Sequence, residues 1–260
     1  MSDPGTLEGV LRARRASGKK LLIPYLMAGM TADWLEAAHA IVAAGADALE
    51  IGIPFSDPMI DGPVIQQAAI AALERGTTPL SVLEALSGAD LGVPLAVMTY
   101  YNLVFRAGER RMARSLAAAG VSAAILPDLS LEELDPWATE AEEAGIETIL
   151  LVAPSTPPER TIRLCARARG FIYAVARMGV TGERTSLGPE AAAVVAKIRP
   201  HTDRPVCVGI GVSSGTQAAA VCASADGVVV GSAVVRRLLD GHGPDAAAAF
   251  VAEIRSAIDA

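Results

Sequence analysis

The segment Asp47–Pro63, "DALEIGIPFSDPMIDGP", decides the fold class. Its first half is a short, almost continuous apolar run. A strand with one wet face alternates apolar and polar residues, whereas a strand covered on both faces does not, and burial on both faces belongs to parallel sheets. Its second half is a proline- and aspartate-bearing loop. Glu50 breaks the pattern. It stands among Ala48, Leu49, Ile51 and Ile53, where an unpaired charge is costly to bury.

The same run recurs along the chain. It is seen in "LLIPYLMA" (Leu21–Ala28), "PLAVMTY" (Pro94–Tyr100), "AAILPD" (Ala123–Asp128), "ETILLVA" (Glu147–Ala153), "FIYAVA" (Phe171–Ala176), "PVCVGIG" (Pro205–Gly211) and "GVVVGSA" (Gly227–Ala233). Ala-rich stretches lie between the runs, among them Asp33–Ala44, Glu109–Ala119, Leu131–Ala144 and Pro189–Lys197. Gly45, Gly120 and Gly145 follow three of them in the position that ends a helix. Eight strands, each followed by a helix, is the count of a (β/α)8 TIM barrel. A doubly wound sheet is the competing arrangement, but eight regular units favour closure. With no linker or low-complexity tract, residues 1–260 are expected to form a single domain of class α/β.

Composition narrows the function. The net charge of -7 argues against non-specific nucleic-acid binding and requires that an anionic ligand be held by local donors. No apolar stretch is long enough for a membrane span, and the first residues lack a secretory apolar core, which predicts a cytoplasmic protein. Cys165, Cys207 and Cys222 lack metal or redox spacing and read as buried thiols. His39, His201 and His242 form no metal cluster, so no metal is expected.

In a barrel of this type the chemistry sits at the C-terminal ends of the strands. Glu50 lies there on the second strand, with Asp57 and Asp61 in the loop beyond. Tyr100, Tyr101 and Asn102 follow the third strand, Asp128 ends the fourth and Tyr173 lies in the sixth. A desolvated carboxyl such as Glu50 holds its proton to higher pH and suits general acid–base work. Asp57 and Asp61, taken singly, also fit ordinary turns. The seventh and eighth strands end in "GIGVSSG" (Gly209–Gly215) and "GSAVV" (Gly231–Val235), the place and composition of a phosphate cup built from backbone N–H groups and helix N-termini. "GVSSG" also matches a nucleophile elbow at Ser213, but the only later histidine, His242, lies beyond the last strand. "RMGVTGERTSLG" (Arg177–Gly188) has the length and glycine content of an active-site lid.

These stretches together resemble the α subunit family of tryptophan synthase, over nearly the whole chain. The most specific are "GADALEIGIPFSDPMIDGPVIQ", "YYNLVF", "GVTGERTSL", "GIGVSS" and "GSAVV". The resemblance implies a lyase of tryptophan biosynthesis. It would carry out a retro-aldol cleavage of indole-3-glycerol phosphate to indole and glyceraldehyde 3-phosphate, in a barrel with no cofactor of its own. It implies Glu50 as the acid–base residue and Asp61 as the indole-contacting carboxylate. Tyr100 and Tyr173 would line the site. Thr181 would meet the aspartate, and Gly182, Gly211, Gly231 and Ser232 would hold the phosphate. Asp57 and Gly179 would face a β subunit that carries pyridoxal phosphate and receives the indole, in an allosteric α2β2 heterotetramer. Two departures stand out: "LMAGM" after the first strand, where the family commonly has "TAGDP", and bulky Met178 in the lid. Three alternatives remain at this point: a stand-alone lyase releasing free indole, a barrel that only activates a β-type partner, and a phosphosugar isomerase with the same phosphate cup.

Overall fold

Helix ends set the rhythm of the chain. Gly45, Gly120 and Gly145 have φ of 109°, 76° and 75°, the left-handed region that closes a helix and turns the chain into the next strand. The computed structural model describes residues 5–175, 187–209 and 211–260. In order they form α1 (Thr6–Ala16), β1 (Leu21–Met27), α2 (Trp34–Ala43), β2 (Leu49–Gly52), α3 (Pro63–Glu74), α4 (Pro79–Ser87), β3 (Leu95–Met98), α5 (Tyr101–Ala107), α6 (Glu109–Ala118) and β4 (Val121–Ile125). There follow α7 (Leu134–Glu143), β5 (Glu147–Val152), α8 (Pro158–Arg167), β6 (Ile172–Val175), α9 (Gly188–Ile198), β7 (Val206–Gly209), α10 (Gly215–Cys222), β8 (Gly227–Val230), α11 (Ser232–Leu239) and α12 (Gly243–Asp259).

The eight strands pair in sequence, all parallel, and β1 pairs with β8, so the sheet is a closed barrel. Closure excludes the doubly wound alternative. It also explains a glycine. At Gly227, paired with Leu21, a Cβ would stand 2.3 Å from the Leu21 carbonyl oxygen, so only glycine lets the last strand reach the first. Each expected strand appears within a few residues. The fourth starts at Val121 and ends at Ile125, which leaves Asp128 in the turn beyond it.

Two apolar layers hold the barrel. The larger lies between strands and helices, and the smaller fills the barrel interior. Interior residues include Ile23, Ala48, Ala96, Ala123, Ile149, Phe171, Cys207 and Val229, each 3% exposed or less. Leu7 and Leu11 of α1 join this interior cluster. The Glu147 carboxylate, at the start of β5, accepts hydrogen bonds from the Leu7 and Glu8 N–H groups at 2.7 and 3.0 Å, anchoring the helix at its positive end. The N-terminal end of the barrel is therefore plugged, and chemistry is left to the opposite mouth. The three cysteines are free and buried. Among the described residues no helix is long and apolar enough to cross a membrane.

Candidate active site

Glu50 lies on β2, with Tyr25 of β1 and Ala96 of β3 as its Cα partners. It is 1% exposed, and its Oε2 has no hydrogen-bond partner. Burial, and then the charge of Asp61, push its pKa from the ordinary 4.5 up to about 8. A carboxyl in this state is neutral at pH 7 and can give up or regain a proton at little cost.

Asp61 stands in the loop after β2. Its Oδ2 accepts a hydrogen bond from the Tyr100 hydroxyl at 3.2 Å, and that hydroxyl accepts in turn from the Ile60 N–H at 3.2 Å. Tyr100 is buried and its ring stacks on Phe55, centroids 5.0 Å apart. One side chain from the turn between β3 and α5 thus fixes the loop of β2 at two points. Burial raises the Asp61 pKa, and the Tyr100 hydrogen bond opposes the rise. The two acids are unequal as a result. Among the described residues Glu50 Oε2 has no donor in this resting state, whereas Asp61 has one.

Tyr173, on β6, is paired with Leu151 and Cys207. Its ring crosses the neighbouring strand, where a Cβ at Gly209 would lie 2.6 Å from Cε1. Tyr25 has the same relation to β2, because a Cβ at Gly52 would lie 2.0 Å from its hydroxyl oxygen. Two glycines on inward-facing positions make room for two tyrosines above the interior layer. Both hydroxyls have pKa values pushed well up, by burial first. Asp61 and then Glu50 act next on Tyr25, and Glu50 acts next on Tyr173. They stay protonated and remain donors.

Tyr25 is absent from the sequence-derived site. Its signal was available: a phenol at the C-terminal end of an otherwise apolar strand, "LLIPYLM". Tyr101 and Asp128, noted beside the site, are committed to structure. The Asp128 carboxylate accepts from the Tyr101 N–H at 2.9 and 3.1 Å and caps α5, and the Tyr101 hydroxyl donates to Glu109 at 2.8 Å.

On the other side of β1 two helices follow β7 and β8: α10 starts at Gly215, beyond the loop after β7, and α11 at Ser232, just after β8. Gly211 has φ 77°, a left-handed conformation suited to glycine. Three residues on, Ser214 caps α10 by accepting from the Gln217 N–H. Ser213 donates to the Gln217 side chain at 3.0 Å, which occupies the hydroxyl that the nucleophile reading needs. Gly231 is the N-cap of α11, and its carbonyl accepts from the Val234 and Val235 N–H groups. The earlier N–H groups of a helix, here those of Ser232 and Ala233, have no intrahelical acceptor and form an anion-binding end. Gly231 also packs against Tyr25, so the cup and Glu50 border one tyrosine.

Asp57 lies on the exposed part of the β2 loop and accepts from the Ser56 hydroxyl. Beside it Met59 is 87% exposed, and Phe105 on α5 is 66% exposed. Gly179, Thr181 and Gly182, with all of the candidate lid but Leu187 and Gly188, lie outside the described residues. Among the described residues no group of three or more His, Cys, Asp or Glu side chains could hold a metal ion.

Comparison with known proteins identifies the family of the chain. The family model described as tryptophan synthase alpha chain matches residues 11–256. The chain is 44% identical to the tryptophan synthase alpha chain of Thermobifida fusca over 260 residues, covering 96% of each. It is 46% identical to that of Halorhodospira halophila, covering 95% of this chain and 91% of the relative. Among solved structures, one of Mycobacterium tuberculosis tryptophan synthase superposes with a TM-score of 0.93 at 39% identity, covering 99% of this chain and all of the other. Tryptophan synthase subunit alpha of Legionella pneumophila superposes with a TM-score of 0.89 at 31% identity, covering 99% of both.

Proposed function

The chain belongs to the tryptophan synthase alpha chain family, and from that premise we propose how its residues perform the reaction. The protein is a carbon–carbon lyase of tryptophan biosynthesis. It cleaves indole-3-glycerol phosphate to indole and glyceraldehyde 3-phosphate and works with a tryptophan synthase β subunit. The whole chain, 1–260, acts as one barrel in the cytoplasm, within an α2β2 assembly.

Glu50 is the proton carrier. The bond from indole C3 to the glycerol side chain breaks once C3 is protonated, because the ring can then accept the bonding pair. Neutral Glu50 gives its proton to C3. As the bond breaks, the resulting carboxylate takes the proton from the adjacent side-chain hydroxyl, which becomes the aldehyde oxygen. The proton count balances and Glu50 ends as it began. Protonation at C3 spreads positive charge to the ring nitrogen, and Asp61, held as an acceptor by Tyr100, stabilises that charge through the N–H. Tyr100 and Tyr173 shape the wall. Gly211, Gly231 and Ser232 hold the phosphate through backbone N–H groups, which suits a protein of net charge -7. Gly182 and Thr181 complete the set by family resemblance, as do Asp57 and Gly179 toward the β subunit.

The observation that carries this assignment is the buried Glu50 carboxyl, its Oε2 without a partner and its pKa pushed to about 8 by burial and by Asp61. The test is indole release by Glu50→Gln, with and without added β subunit. A rate within a few-fold of wild type removes Glu50 from the mechanism.

A further inference from the structure

Two buried polar groups at the barrel mouth are poorly satisfied, and they belong to register-paired residues. Glu50 Oε2 has no partner. Tyr25, 5% exposed, finds only the Met27 sulfur among the described residues, at 3.9 Å. A thioether is a weak acceptor, and a buried phenol normally takes an oxygen. The Tyr25 hydroxyl is also displaced toward Glu50's own strand. It stands above Gly52, two residues beyond Glu50 on the same inward face, and Gly52 is the residue that leaves it room. Two residues of strand span about 7 Å, a gap that a change of glutamate rotamer can close.

We propose that the Tyr25 hydroxyl is a positioning donor for Glu50: it leaves the Met27 thioether and hydrogen-bonds the carboxylate that exists while Glu50's proton is on the substrate. The donor steadies the charge between the two proton transfers and is idle in the resting, neutral state, as seen here. This deepens the reading of Glu50 as proton carrier and rests on it. The groups facing Glu50 are few. Asp61 comes from the β2 loop and repels its charge. Tyr100, just beyond β3, is already committed to Asp61. Tyr173 reaches in from β6 with Cys207 of β7 at its side, and Tyr25 comes from β1. Tyr25 alone is the Cα partner of Glu50 on a neighbouring strand and carries a donor that lacks a good acceptor.

Tyr25→Phe removes the donor and keeps the ring that packs beside Gly52. Loss of a hydrogen bond to a charged group lowers kcat about tenfold, with KM unchanged within about twofold. Activity requires neutral Glu50, so the alkaline limb of the kcat profile follows the Glu50 pKa. Without the donor the carboxylate is less stable, and that limb moves to higher pH by about one unit. Infrared titration of the substrate-free enzyme reads the same pair without turnover. The protonated-carboxyl band that disappears in Glu50→Gln should persist to higher pH in Tyr25→Phe. A limb and band that coincide with wild type overturn the proposal. So does a lower rate with raised KM and an unmoved limb, which would make Tyr25 a wall residue, and so does a shift given by Tyr173→Phe but not by Tyr25→Phe. If Glu50→Gln stays active while the infrared shift is present, the proton-carrier reading fails and the Tyr25–Glu50 pair stands.

Discussion

Glu50→Gln should separate catalysis from stability in opposite directions. Removing the titrating proton from a general acid–base typically costs about 10²–10⁴-fold in rate. Stability responds the other way, and its size follows from the buried carboxyl. In the unfolded chain Glu50 ionises near its ordinary 4.5, and in the folded barrel near 8. Between those values the folded protein holds a proton that the unfolded chain has released, so stability falls as pH rises. The full contribution is present below pH 4.5 and is lost by the time pH has passed about 8. Each pH unit in that window is worth about 1.4 kcal/mol, which makes the total about 5 kcal/mol at the alkaline end. Gln has the shape of the protonated acid and does not titrate. Urea unfolding of wild type and Glu50→Gln from pH 5 to 9 should therefore give two stability curves that start together and diverge. The inactive variant becomes the more stable by several kcal/mol at pH 9. Parallel curves across that range would refute the premise that burial and Asp61 hold the proton on Glu50 well above its ordinary pKa. The pH–rate profile offers a second check, since loss of neutral Glu50 predicts an alkaline limb near 8.

Tyr100→Phe removes the hydroxyl that donates to Asp61 and accepts from the Ile60 N–H. Its loss raises the Asp61 pKa further, so the acid limb of kcat/KM should move to higher pH with a rate loss of about tenfold, read in a pH series of indole release. Gly211→Val puts a β-branched residue at φ 77° and a Cβ in the proposed phosphate cup. Substrate KM and the inhibition constant of inorganic phosphate should both rise about tenfold or more, while kcat changes less. Asp57→Ala leaves the described contacts of Glu50 and Asp61 untouched. It should lower the stimulation of indole release that a titrated β subunit provides, measured as the ratio of kcat with and without partner.

Much of the architecture is local, and local information is what a sequence carries. Eight doubly buried runs, separated by Ala-rich segments that end in Gly45, Gly120 and Gly145, require parallel strands with helical crossovers, and each glycine has the left-handed φ expected of it. Glu50 is legible for the same reason. A charge costly to bury declares itself against apolar neighbours without any knowledge of what lies across the barrel. Asp61 and the glycines after β7 and β8 drew notice by their positions at strand ends, but their roles came from the family resemblance. What the sequence left open is which residues meet. A run buried on both faces has no alternation, so it does not say which of its side chains point inward, and nothing in "LLIPYLM" marks Tyr25 as facing the interior. That parity, and the pairing of Tyr25 with Glu50, are set by strand register around a barrel that closes only because Gly227 lets β8 reach β1. The Tyr100 hydroxyl bridging Ile60 and Asp61 across 39 residues or more, and Gly52 and Gly209 as the hollows for two tyrosine rings, likewise exist only after closure. Side chains far apart in the chain come to share a site through hydrogen-bonded register, and register is a property of the assembled sheet rather than of any one strand.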